Sequence, residues 1–189
     1  SEVFLTGNSL STSETFITIP DECMGLVFSD EPIFGTEGSD NLRGTPGNDL
    51  IFGLGGDDLI SGISGNDCLV GGTGKDRLSG GSGEDILLGL EDNDDLDGGS
   101  SNDQLFGGSG DDNLNGGSGN DELYGGEGND TLQGGSGSDQ VFGEDGDDIL
   151  IGGSSADVLD GGNDINSADG GSGQDTCINA STVLRCEIF

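Results

Sequence analysis

The 189-residue sequence contains no histidine, no tryptophan, one methionine, one tyrosine and three prolines. Lysine and arginine together number 4, against 38 aspartates and glutamates, which leaves a formal charge of −34. Without histidine there is no imidazole for a zinc or copper site, and no base to activate a serine or cysteine, so nucleophilic catalysis is not expected. The paired carboxylates are accounted for by the repeat described below, and the chain is read as no enzyme. So few cations exclude a nucleic-acid surface. The longest apolar runs, such as Gly25-Leu26-Val27-Phe28 and Asp85-Ile86-Leu87-Leu88, are far too short to span a bilayer, so no transmembrane segment is expected. Ser1-Glu2-Val3-Phe4 lacks the basic region and apolar core of a secretory signal, so export is expected either after loss of a leader or by another route. Such charge with only 29% hydrophobic residues would leave a shuffled chain disordered.

The order of the residues points elsewhere. From Gly35 to Gly170, glycine recurs every nine residues without a miss, defining sixteen repeats over residues 35–178. Gly116-Gly117-Ser118-Gly119-Asn120-Asp121-Glu122-Leu123-Tyr124 is representative. Position six is Asp in fifteen repeats and Asn166 in the other, position eight is aliphatic in fourteen, and position four is Gly in twelve. Glycines at positions one, two and four let the chain curl tightly. The curl gathers backbone carbonyls, such as those of Gly107, Gly108, Ser109, Gly110, Gly116, Gly117, Ser118 and Gly119, beside the position-six carboxylate. Hard oxygen donors in a flexible loop suit Ca²⁺ better than Mg²⁺.

After each turn, three residues are expected to form a short strand with the middle side chain inward, and the following repeat returns along the opposite side. One coil then takes eighteen residues, and the aspartates fall into two columns. The first is Asp40, Asp58, Asp76, Asp94, Asp112, Asp130 and Asp148, ending at Asn166; the second is Asp49, Asp67, Asp85, Asp103, Asp121, Asp139, Asp157 and Asp175. One aliphatic side chain per nine residues is too little apolar burial to offset the ordering of a glycine-rich backbone, so folding is expected to need the metal. Asp92, Ser101, Ser155 and Asp164 replace the position-four glycine and Asn166 removes a charge, so the weakest sites are expected around residues 161–169.

The pattern G-G-x-G-x-D-x-U-x resembles the RTX (repeats-in-toxin, haemolysin-type) calcium-binding nonapeptide over about three quarters of the chain. The resemblance implies an all-β protein, a parallel β-roll (a right-handed β-solenoid with two repeats per coil and about eight coils), and no particular reaction. It further implies that each ion sits between adjacent turns of one column, held by two Asp carboxylates and about four carbonyls, for up to about fourteen Ca²⁺ ions.

Residues 1–34 lie outside the repeat and are read as a β-rich cap or assembly segment, with strand-prone runs at Thr15–Ile19 and Met24–Phe28. Residues 179–189 are read as a C-terminal cap. Cys177 and Cys186 are close enough to pair there, and if the N-terminal segment covers the first coils, Cys23 reaches Cys68. Such pairing fits an oxidising, extracellular compartment. Position nine of alternate repeats reads Phe52, Val70, Leu88, Phe106, Tyr124 and Phe142, an apolar stripe on one sheet only. It either stiffens the strands or forms a contact surface.

Two phosphate- and EF-hand-like echoes fail on their own residues: Asp76 stands where a phosphate loop needs Ser or Thr, and Gln104 where an EF-hand needs Glu. Asn179-Ala180-Ser181 is a glycosylation sequon, and Glu187-Ile188-Phe189 resembles the tail of type I secreted proteins of the RTX kind. The expected role is that of a secreted structural protein which self-associates end to end or through the stripe as surface layer, matrix or filament. The alternatives are a calcium-dependent adhesion or secretion module attached to a cell surface or matrix, and an ice-binding solenoid. Position three is mostly Ser and position five irregular, which argues against an ice-binding ladder.

Overall fold

The structure, a computed structural model, describes residues 19–186. Among them the chain winds into two parallel sheets of nine strands each. One begins with Ile33–Phe34 and Leu50–Gly55 and ends with Thr176–Ile178; the other begins with Asn41–Arg43 and Leu59–Ser64 and ends with Thr182–Leu184. Strands alternate between the sheets in sequence, so each pairs with the strand one full coil away. The register is eighteen residues from coil to coil, with Cys68 beside Ile86, Leu69 beside Leu87 and Val70 beside Leu88, and shortens to fifteen only at the last pair, where Ser167 lies beside Thr182. This is the expected all-β solenoid of about eight coils.

The strands are longer than the sequence reading gave. Most span six residues, because pairing resumes after the position-one glycine: Gly72 lies beside Leu90 and Thr73 beside Glu91. Each coil turns its corner in the same way as its neighbours, so the ladder follows the bend instead of stopping at it.

Position eight supplies the core. Ile51, Ile60, Leu69, Leu78, Leu87, Leu96, Leu105 and their successors through Cys177 form one buried column between the sheets. Identical spacing stacks like on like. Ile33 and Leu42 pack on one end, and Ala180, Val183 and Cys186 on the other, where Cys177 and Cys186 form a disulfide (Cα–Cα 5.8 Å).

The N-terminal segment departs from the strands expected of it. Asp21–Cys23 is a single 3-10 turn, and Met24–Phe28 contributes only an isolated bridge between Met24 and Leu26. Of the Thr15–Ile19 run, residues 15–18 fall outside the described residues, as does the 187–189 tail. The physical reason is position. The segment lies over the face of the first sheet, where no backbone edge is free for pairing. Cys23, Leu26 and Phe28 pack there on Leu50, Phe52, Cys68, Val70 and Leu88. The Cys23–Cys68 disulfide (Cα–Cα 6.0 Å) and the bond from Ser29 N–H to the Asn48 carbonyl (2.7 Å) hold the cover in place. Only Ile33–Phe34 joins the sheet, beside Ile51 and Phe52. Beyond the cover the stripe continues as a stack of half-buried rings, with Phe106 and Tyr124 at 5.0 Å and Tyr124 and Phe142 at 4.9 Å between centroids.

Candidate metal centre

The turns at the two edges of the sandwich carry the position-six aspartates. From Asp49 onward every one is buried, an unusual state for a carboxylate without a basic partner. The two oxygens of each carboxylate have different surroundings. Oδ1 accepts the backbone N–H of the aspartate one coil earlier: Asp94 N–H donates to Asp112 Oδ1 (2.7 Å), and Asp103 N–H to Asp121 Oδ1 (2.9 Å). The chain of bonds runs from Asp40 N–H on Asp58 (2.7 Å) to Asp157 N–H on Asp175 (3.0 Å). Oδ2 has no such partner. In thirteen aspartates (Asp58, Asp67, Asp76, Asp85, Asp94, Asp103, Asp112, Asp121, Asp130, Asp139, Asp148, Asp157 and Asp175) it is buried and receives no hydrogen bond.

What surrounds Oδ2 is more oxygen. A Cβ placed on Gly107 would lie 2.3 Å from Asp112 Oδ2 and 2.5 Å from the carbonyl oxygen of Gly125 in the next coil. Carboxylate and carbonyl therefore share a cradle that stays open only because position one has no side chain. The position-one glycines are held by this need for space, since none has a positive φ, contrary to the conformational reason the sequence suggested. From the third turn on, position two and, except at Gly173, position four take left-handed backbone, with φ of +116° at Gly108 and +135° at Gly110, and non-glycine occupants such as Leu54, Leu90, Asp92 and Ser101 are held there too. These twisted peptides aim carbonyls along the column. A Cβ on Gly126 would meet Gly108 O at 2.0 Å, and one on Gly128 would meet Gly110 O at 1.9 Å. Among the described residues, no backbone N–H reaches the carbonyls of Gly110, Gly119, Gly128 or Gly137. The Ser118 carbonyl, by contrast, accepts Ser101 N–H (2.7 Å), which leaves it one lone pair.

Burial dominates the electrostatics. Loss of solvent pushes Asp94 and Asp103 up to about 8 and Asp67 and Asp130 to about 7, from 3.8. Asp76, Asp85, Asp112, Asp139 and Asp157 rise to about 6 for the same reason. In most of them neighbouring carboxylates of the column add to the rise, and the N–H bonds to Oδ1 only partly offset it. Each column is thus a file of buried anions with no cation among the protein's own groups. No three His, Cys, Asp or Glu side chains converge on one point among the described residues. A metal here has one carboxylate per coil and must take most of its ligands from backbone carbonyls. An all-oxygen, mixed carboxylate–carbonyl set of this kind fits Ca²⁺.

Three turns differ, and sequence reasoning missed two of them. Thr36 donates its N–H (2.6 Å) and hydroxyl (2.8 Å) to Asp40 Oδ2. Thr45 does the same to Asp49 Oδ2 (2.7 and 3.1 Å). A threonine at position two, where ten repeats have glycine, was the available signal. In the third turn Asn166 Oδ1 accepts Asp148 N–H (2.7 Å), while Nδ2 donates to the carbonyls of Gly161 (2.6 Å) and Asn163.

Two parallel sheets wound as one solenoid, with files of buried carboxylates at both edges, define a β-roll of the metal-binding kind. The profile described as the RTX calcium-binding nonapeptide repeat matches residues 34–69, 61–96, 70–105, 88–123, 97–132, 124–159 and 151–179. These matches cover residues 34–179 without a gap, and the chain belongs to this family, whose repeats bind calcium. A comparison with curated proteins gives no significant match. No helix among the described residues is long and apolar enough to cross a membrane.

Proposed function

We propose that the protein is a secreted calcium-binding β-roll that folds when Ca²⁺ fills its turns and then serves outside the cell as a self-associating structural element. The observation that carries the calcium reading is the set of thirteen buried Oδ2 atoms without a donor. The ligands are the thirteen position-six carboxylates whose Oδ2 is free, with the carbonyls of positions one, two and four aimed along each column. Eight turns per column leave at most fourteen gaps between neighbours. Metal analysis after equilibration in millimolar calcium tests this directly, and a chain that retains no calcium ends the reading.

The structural role rests on a separate observation. The covered half of the apolar stripe is buried by the chain's own N-terminal segment, which marks this face as adhesive. The uncovered half is the Phe106–Tyr124–Phe142 stack, with one charge, Glu122, among the adjoining Gln104, Glu122 and Gln140. On a chain of net charge −34 this stack offers a second copy an apolar surface, against the repulsion of Glu122 and Glu144 beside Tyr124 and of the rest of the roll. Calcium lowers that repulsion everywhere else, so assembly depends on it. The two disulfides support an oxidising, extracellular setting. Negative-stain microscopy in calcium and then in chelator is the test: filaments or sheets that dissolve in chelator support assembly. Dispersed single rods would favour the adhesion or secretion module instead.

A further inference from the structure

The three exceptional turns have a common property: each uses side-chain hydrogen atoms where the other turns leave oxygen unpaired. In the first two, the oxygen that is free elsewhere, Oδ2, is taken by a threonine N–H and hydroxyl. Neither turn has a left-handed residue at position two or four, in contrast to the turns that follow. At Asn166 the bond from Asp148 N–H fixes which atom is Oδ1, and so places the amide NH₂ inside the turn. That NH₂, carrying partial positive charge, sits on the carbonyls of Gly161 and Asn163, its own turn's oxygens.

We infer that these three turns are sealed by threonine and asparagine and take no ion. The inference rests on the calcium reading above and sharpens it. An ion shared by successive turns needs a free Oδ2 on both. In the first column the free carboxylates run from Asp58 to Asp148, six residues with five gaps between them. In the second they run from Asp67 to Asp175, seven residues with six gaps. The roll therefore holds eleven ions, not fourteen. Both columns begin one coil in from the N-terminal end, and that first coil is closed by hydrogen bonds local to each turn. With the Cys23–Cys68 staple across its face, it is the part of the roll least dependent on calcium.

Native mass spectrometry of the intact chain, titrated with calcium to saturation, counts the ions. Eleven is expected. Asp40→Asn should leave the count at eleven, whereas Asp76→Asn, which borders two gaps, should lower it to nine. Thr36→Gly and Asn166→Asp, which restore the common pattern, should each raise it to twelve; such a gain cannot arise from misfolding. Wild-type saturation at twelve or more, or both gain variants remaining at the wild-type count, overturns the inference. A wild-type chain that binds no calcium would instead strike at the calcium reading itself.

Discussion

Stripping calcium at controlled pH is the sharpest test of the carboxylate files. In the folded roll nine aspartates are pushed from 3.8 to between about 6 and about 8, mainly by burial. In the unfolded chain they titrate near 3.8, so between pH 4 and 8 the metal-free folded state binds more protons than the unfolded one. A raised carboxyl favours folding below its unfolded value, and that advantage is lost as pH climbs through the folded value. At full weight each group costs ~3–6 kcal/mol once ionised. Taken at one third, to allow for screening by water at the turn mouths, the nine together still cost on the order of 10 kcal/mol, as much as the whole stability of an ordinary domain. In chelator, far-UV circular dichroism and small-angle scattering should therefore report an expanded chain at pH 8. Compaction and β-signal should grow as pH falls through 7 to 4, where protons substitute for the ions. With millimolar calcium the chain should be compact at pH 8. Equal β-structure at pH 8 with and without chelator would refute the reasoning, because it would mean the buried files are stable as bare anions.

Two further outcomes follow from the geometry. Gly107→Ala places a methyl in the cradle between Asp112 Oδ2 and the Gly125 carbonyl at a position whose backbone tolerates alanine, so the damage, about 1–3 kcal/mol, should fall on calcium affinity; titration followed by circular dichroism should show a raised midpoint. Cys23→Ser with Cys68→Ser opens a link spanning 45 residues, for which loop entropy suggests up to ~4 kcal/mol, and frees the cover over Phe52, Val70 and Leu88. Calcium-loaded protein should then melt lower and bind a hydrophobic dye, and unchanged dye binding would show that packing alone holds the cover.

Much of this arrangement was legible before any coordinates. A strict nine-residue period fixes the coil, the inward aliphatic and the file of aspartates at once, because every coil repeats the same conformation and needs no long-range information. The stripe followed from the same arithmetic: alternate repeats share a sheet, so Phe52, Val70 and Leu88 had to lie in a row, whereas the Cys23–Cys68 pairing needed the further condition that the N-terminal segment cover the first coils. Where the period stops, so did the reading. Met24–Phe28 has strand-like composition but meets a sheet face, and nothing in those residues states whether an edge is on offer. The position-one glycines illustrate a different limit. Sequence shows that a side chain is excluded, but whether by dihedral angle or by a neighbour's oxygen depends on distances across coils. The bonds made by Thr36 and Thr45 were not legible, since a hydroxyl's partner is set by how its turn is wound.

Asn166 separates the two tasks that every other position-six residue performs together. Its amide oxygen accepts the N–H of Asp148 as well as any carboxylate oxygen in the column does, at 2.7 Å against 2.7–3.0 Å elsewhere. Holding one coil to the next therefore asks only for an acceptor, and asparagine meets that need without burying a charge. Were coil-to-coil bonding the sole demand, asparagine would serve at all sixteen positions and spare the roll its files of buried anions. Aspartate stands at fifteen. The surplus oxygen, Oδ2, contributes nothing to the protein's own hydrogen bonding in thirteen of them and raises the free energy of the metal-free fold. A feature that only destabilises the bare chain, repeated at this regularity, is explained by the cation it attracts.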